Sequence, residues 1–168
     1  QDDLARLAGP VHALTKNHCR VCWTAPMAAG QVDAVLQAEW RALDAPRRIA
    51  DGRFLSRPGL FAWDRIDAAS ALLADCLPAD LAGRGADLGA GFGVLASEVL
   101  ARCPAVTGLD LYEAEARALA LARENLAGAR VPVAFHWHDV TRGLAERFDF
   151  IVSNPPFHQG RADEPGLG

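Results

Sequence analysis

Strand-like and helix-like segments alternate through the second half of this chain, and few folds satisfy that pattern. "GADLG" (85–89) leads into a helix over 93–102 that carries Val94, Leu95, Val99 and Leu100. "AVTGLDL" (105–111) precedes a helix over 113–127 with Ala116, Leu119, Ala120, Arg123 and Leu126 in register and Gly128 as its C-cap. "VPVAFHWHD" (131–139) passes through a short helical connection to "FDFIVS" (148–153). Strands separated by helices pair in parallel through right-handed crossovers, so the expected class is α/β with a doubly wound, mostly parallel sheet. Ligands of such sheets bind outside the carboxyl ends of the strands.

Upstream, Asp67 caps a helix through about Leu77 whose predicted inner face is Ile66, Ala69, Leu73 and Cys76. Before it, "DAPRRIADGRFLSRPG" (44–59) interrupts the chain with Pro46, Gly52 and the Pro58-Gly59 pair. Residues 1–57 therefore read as a connecting region with a strand at 18–24 and a helix near 31–43, the latter striped by Val32, Val35, Leu36, Trp40 and Leu43. Residues 58–168 read as the main domain.

Composition narrows the function classes. With 168 residues and 51% hydrophobic content the chain can bury one core and a small appendage. No apolar run approaches the roughly 20 residues that span a bilayer, and the start, with Asp2 and Asp3, lacks the basic opening of a signal peptide. A first residue of Gln1 leads us to expect a fragment or a processed product. "CRVC" (19–22) lacks the second pair that a structural zinc site requires, even with His12 and His18 nearby, so no metal is expected. A net charge of −4 argues against a general nucleic-acid coat. Arg41, Arg47, Arg48, Arg53 and Arg57 cluster ahead of the main domain and are expected to form a solvated linker face rather than a phosphate contact.

The strand ends carry the chemistry. In "DLGAGFG" (87–93), Gly89, Gly91 and Gly93 permit a sharp turn and a close ligand, and the next helix offers free N–H groups. The spacing is not the G-x-G-x-x-G of a dinucleotide site. Asp87 ahead of it would repel a pyrophosphate but suits a ligand bearing an amine or sulfonium. Asp110 can accept ribose hydroxyls or cap the helix that follows it. Asp139 can accept from an exocyclic adenine amine; His136 and His138 read as ordinary polar positions. At the fourth end, "NPPF" places Asn154 before two prolines that each fix φ near about −65° and lack an N–H. Asn154 Oδ1 and the Pro155 carbonyl then form two fixed acceptors for both hydrogens of a planar amine, and Phe157 can stack on its ring.

These motifs resemble those of class I S-adenosylmethionine (SAM)-dependent methyltransferases. "RPGLFAWDRIDAASALL" (57–73) with "NPPFHQG" (154–160) is similar to a narrower group, the ribosomal RNA guanine-N2 methyltransferases of the methyltransferase small domain type, most like those acting on 16S rRNA. In that family a degenerate first domain is fused to a SAM-binding second domain. Residues 58–160 resemble the second, and "KNHCRVCW" (16–23) the strand that joins the two. The resemblance implies a cofactor site of Asp87, Gly89, Ala90, Gly91, Gly93, Asp110, Leu111, Asp139 and Val140, bordered by Phe61. It further implies that Asn154, Pro155, Pro156 and Phe157 hold the guanine amine, with ribosomal RNA of the small subunit as partner. The family's catalytic domain continues past this motif, whereas the sequence stops eleven residues after Phe157. An incomplete sheet is therefore expected. A monomeric, cytoplasmic enzyme with no membrane association is expected as well. The same motif serves other amines (large-subunit rRNA guanine, DNA adenine, protein glutamine), and a non-catalytic RNA-docking copy of the fold is a further alternative. The glycine spacing and N-P-P-F both oppose a nicotinamide-dependent oxidoreductase.

Overall fold

The computed structural model describes residues 2–28 and 32–155 together with the backbone of 158–159 and 162–163. The chain divides into two compact units at Ala45/Pro46, so 46–57 belongs with the main domain rather than with the expected connecting region. No described helix is long and apolar enough to cross a membrane.

The first unit holds α1 (Asp2–Ala8), an antiparallel hairpin of β1 (Val11–Lys16) and β2 (Cys19–Thr24), and α2 (Ala34–Leu43). Asn17 and His18 turn the hairpin with φ of 50° and 61°, the geometry that a two-residue hairpin loop demands. Cys19 and Cys22 sit three apart on a strand and therefore point to opposite faces, which prevents them from sharing a metal. The Asp33 carboxylate accepts from Val35 N and Leu36 N, so α2 starts at Ala34. Of its predicted stripe, Leu36 is buried, whereas Val35 and Leu43 are exposed.

The second unit begins with a hairpin the sequence did not announce, β3 (Arg47–Ile49) and β4 (Phe54–Ser56). Then follow α3 (Ala68–Asp75), β5 (Gly83–Leu88), α4 (Val94–Arg102), β6 (Val106–Glu113), α5 (Ala116–Asn125), β7 (Val133–Trp137), a 3-10 turn at Val140–Arg142 and β8 (Phe150–Ser153). A two-residue antiparallel pair, β9 (His158–Gln159) and β10 (Ala162–Asp163), comes last. β7, β6, β5 and β8 form one sheet in that order, and every neighbouring pair in it is parallel, as the alternation predicts.

Register assigns the two faces. Leu109, Leu111 and Val152 point toward the helices and pack with Leu95, Ala96 and Val99 of α4 and Leu119 and Ala122 of α5. Each buried Leu or Val side chain among them contributes roughly 1.5–3 kcal/mol. Within α3, Ala74 is buried and Leu73 and Leu77 pack beside it, whereas Ala69 and Cys76 are exposed. Of the predicted inner face, Ile66 and Leu73 are packed, whereas Ala69 and Cys76 are not. "AASALLAD" is nearly all small or apolar, so its periodicity could not select a side, and packing against α4 did. On the opposite face lie Arg84, Asp110, Tyr112 and His136, and Phe148 meets the Tyr112 ring edge-on.

Arg53 pairs with Glu98, Arg48 donates to Gly52 O, and Arg47 lies over the Trp63 ring, so part of the arginine cluster is engaged locally. The β3–β4 hairpin is tied to the sheet unit through Asn125. Its Oδ1 accepts from Leu55 N at 2.7 Å, and its Nδ2 donates to Leu55 O and Phe92 O, both at 2.9 Å. Asn125→Ala would strand three partly buried backbone groups. We expect a loss of about 2–4 kcal/mol, read from denaturant unfolding, with the secondary structure retained.

Candidate active site at the carboxyl ends of the sheet

The turn after β5 is built on backbone that L-residues with side chains rarely adopt. Gly89, Gly91 and Gly93 have φ of 70°, 55° and 92°. It is fastened to the end of β6: Gly89 N and Ala90 N donate to Tyr112 O at 2.9 and 3.1 Å, and Gly91 N donates to Glu113 Oε2 at 2.7 Å. A Cβ on Gly89 or Gly91 would meet nothing within 4 Å. Among the described residues, the outer side of the turn is therefore open. Gly93 differs, because a Cβ there would press on Leu126 at 3.3 Å and Ala122 at 3.4 Å. Its glycine serves packing against α5 and the entry to α4.

Asp87 is fully buried. Its Oδ2 accepts from Ala96 N at 3.1 Å, in the first turn of α4, and its Oδ1 has no partner among the described residues. Burial pushes this carboxyl up to about 7; the Ala96 N–H opposes the rise, and the nearby Glu113 charge adds to it. A buried carboxyl with so few partners is a costly arrangement.

Two expected cofactor residues need correction. β6 runs to Glu113, two residues beyond the predicted end, so Asp110 and Leu111 lie inside the strand. Leu111 is fully buried in the apolar core. Asp110 is buried on the opposite face. Arg84 Nε and Nη2 donate to its two oxygens at 2.7 Å each, and His136 Nε2 adds a 2.8 Å bond. Burial pushes this carboxyl up, but the hydrogen bonds and charges of Arg84 and His136 outweigh it and hold it below the usual carboxylate range. The acid at the strand end is Glu113, which the sequence reading missed. It is partly exposed, and each oxygen accepts one backbone N–H, from Gly91 and from Glu115 at 2.8 Å. The signal was present as a second acid in "DLYE". Because 110 and 113 differ by an odd number, they occupy opposite faces of a strand.

Ala90 is buried in the core and participates through its N–H to Tyr112 O. Asp139 caps its own 3-10 turn, accepting from Thr141 N at 3.1 Å and Thr141 Oγ1 at 2.7 Å; the Thr141 hydroxyl, more than its N–H, holds the carboxyl below its ordinary value. Val140, partly buried, opens that turn. Phe61 projects from the turn before α3 at 76% exposed. A cavity of about 370 Å³ lined by Arg84, Gly108, Asp110 and Ala134 contains none of the glycine-turn residues.

Asn154 follows β8, the strand beside β5, and is partly buried. Its Nδ2 donates to Asp67 Oδ2 at 3.0 Å and to Ser70 Oγ at 2.8 Å. No hydrogen bond reaches its Oδ1 among the described residues. Pro155 continues from it, and the expected contributions of Pro156 and Phe157 lie outside the described residues.

The buried acid yields a pH prediction. Folded Asp87 keeps its proton up to about pH 7, whereas the unfolded chain releases it near 3.8. Its contribution to stability is therefore complete below the ordinary value and is lost as pH rises through 7. Asp87→Asn, neutral throughout, should flatten that decline in thermal melts between about pH 5 and 8 and exceed the wild type at the alkaline end, by on the order of 4 kcal/mol at full ionisation.

Known proteins are similar to this chain. Ribosomal RNA small subunit methyltransferase C of Pasteurella multocida is 35% identical over 121 residues, covering 72% of this chain and 36% of that protein. The protein of the same name from Sodalis glossinidius is 43% identical over 103 residues, covering 61% and 29%. The chain thus spans about a third of the length of these curated relatives. The T. thermophilus 16S rRNA N2 methyltransferase, solved with AdoMet and guanosine, superposes with a TM-score of 0.61 at 24% identity over 95% of this chain and 44% of that one, which shows a common fold. The family defined as the methyltransferase small domain matches residues 51–168, taking in β4, the glycine turn, the β6 end and the Asn154-Pro155 segment alike, and to that family the chain belongs.

Proposed function

We propose that this chain carries the SAM-binding and amine-holding centre for methyl transfer to the exocyclic N2 amine of a guanine in 16S ribosomal RNA, a cytoplasmic substrate. The observation that carries the reading is Asn154. At the carboxyl end of β8 it spends its Nδ2 on Asp67 and Ser70 and leaves Oδ1 as an acceptor. The likeness to proteins named as small-subunit rRNA methyltransferases favours RNA guanine over the other amines.

The residues present fit the cofactor. Gly89 and Gly91 leave the space above the turn clear of side chains. Glu113 retains lone pairs beyond its two backbone bonds and can accept ribose hydroxyls. The unpartnered Asp87 oxygen and the Glu113 charge favour a cationic ligand. SAM, when bound, supplies a methyl group on a sulfonium, whose sulfur becomes a neutral thioether once the methyl has left.

Asn154 Oδ1 and the Pro155 carbonyl accept the two amine hydrogens of the guanine. This turns the nitrogen pair out of conjugation with the ring and aims it at the incoming carbon. Positioning of this kind supplies much of the rate for a weak nucleophile. The amine becomes acidic as its new C–N bond forms, so its proton can pass to water, and no side chain is assigned as base.

Tested on the intact natural polypeptide, Asn154→Ala should abolish transfer to unmodified 16S rRNA while SAM affinity by calorimetry stays unchanged; retained turnover contradicts the reading. Glu113→Ala should weaken SAM binding about tenfold or more through the lost hydroxyl acceptors. Asp110→Ala should leave that affinity unchanged and lower stability, because Arg84 and His136 lose their shared partner. Equal SAM affinity in Glu113→Ala and wild type rejects the ribose role.

A further inference from the structure

Asn154 is useful as an acceptor only if its amide faces one way. The two ends of a primary amide are nearly isosteric, and a half-turn about χ2 would point two N–H donors at the substrate amine in place of the oxygen. Something must decide between these orientations. On the side away from the open oxygen, Nδ2 meets Asp67 Oδ2 at 3.0 Å and Ser70 Oγ at 2.8 Å. An ionised carboxylate only accepts hydrogen bonds. In the turned amide, Oδ1 would face Asp67 Oδ2 at hydrogen-bond distance with no proton between them, a repulsive contact. The observed orientation also gives each amide hydrogen its own acceptor, so neither is left to compete with an incoming amine.

Asp67 performs two tasks with one oxygen, since Oδ2 also accepts from Ser70 N at 3.0 Å and so caps α3. Capping explains the carboxylate but not the rest. It does not require the Ser70 hydroxyl to turn to a strand end more than eighty positions away in sequence. The first turn of α3 thereby binds the end of β8 through side chains.

Resting on the methyl-transfer reading above, we propose that Asp67 and Ser70 are positioning residues that lock the Asn154 amide with its oxygen toward the substrate amine. They touch neither substrate nor cofactor in this role; they act through Asn154.

The test uses the intact polypeptide, unmodified 16S rRNA, free and in assembled small subunits, and radiolabelled SAM. Asp67→Asn keeps a good helix cap but introduces a donor that tolerates the turned amide; Ser70→Ala removes one acceptor. Each should lower kcat about fivefold, the equivalent of one hydrogen bond, with the KM for RNA, the Kd for SAM and the thermal midpoint close to wild type. Ser70→Thr, which keeps the hydroxyl, should restore the rate. Wild-type kcat in both Asp67→Asn and Ser70→Ala, with Asn154→Ala inactive, overturns the lock and leaves the methyl-transfer reading standing. Rate losses that follow a fall in thermal midpoint, or that Ser70→Thr does not restore, overturn it as well. An active Asn154→Ala enzyme overturns the underlying reading itself.

Discussion

The attachment of the glycine turn to the last two residues of β6 sets the rest of the site. Gly89 and Ala90 share the Tyr112 carbonyl and Gly91 takes the Glu113 carboxylate, so the turn is closed by an adjacent strand rather than by its own residues. Because those N–H groups are spent inward, the outer side of the turn presents bare glycine. The conformation also delivers the chain to Gly93 and α4, whose Ala96 N–H rests on Asp87. One set of backbone bonds thus fixes a strand end, a helix start and an open surface together.

Electrostatics divide the sheet between two acids with opposite fates. Asp110, on the face away from the helices, is neutralised by a bidentate arginine and a histidine, and its ionised form is favoured. Asp87, beneath α4, has a single backbone donor and is pushed toward neutrality. Replacing a partner of Asp110 would leave a buried charge uncompensated, a structural penalty. At Asp87 the cost of burial is met by protonation, which the single donor from Ala96 only partly opposes. The same residue type on neighbouring strands is therefore an ionised brace in one place and a buried acid pushed toward neutrality in the other.

The carboxyl end of β8 obeys a comparable logic of saturation. Prolines remove donors from the backbone, and the first turn of α3 consumes both amide hydrogens of Asn154. What remains at that strand end is acceptor character. It lies beside the glycine turn because β8 pairs directly with β5, with Leu88 opposite Ser153.

The sequence by itself determined the parallel α/β class, the positions of most elements in the sheet unit and the glycine turn. These depend on local period and on Gly and Pro punctuation, which a chain carries wherever it folds. The Asn-Pro pair likewise signalled a rigid acceptor from local backbone restriction alone. The β3–β4 hairpin was hidden because three-residue strands bury only an Ile49 or a Phe54 and are stabilised by Asn125, a residue some seventy positions away. Tertiary structure alone decided which acid stands beside the glycine turn. Asp110 and Glu113 must face opposite ways on one strand, but only the pairing of β6 with β5 and the placement of the turn fix which way is which. It alone also brought Asp67 and Ser70 to Asn154, because a hydrogen bond across that sequence distance exists only once α3 has packed against the sheet.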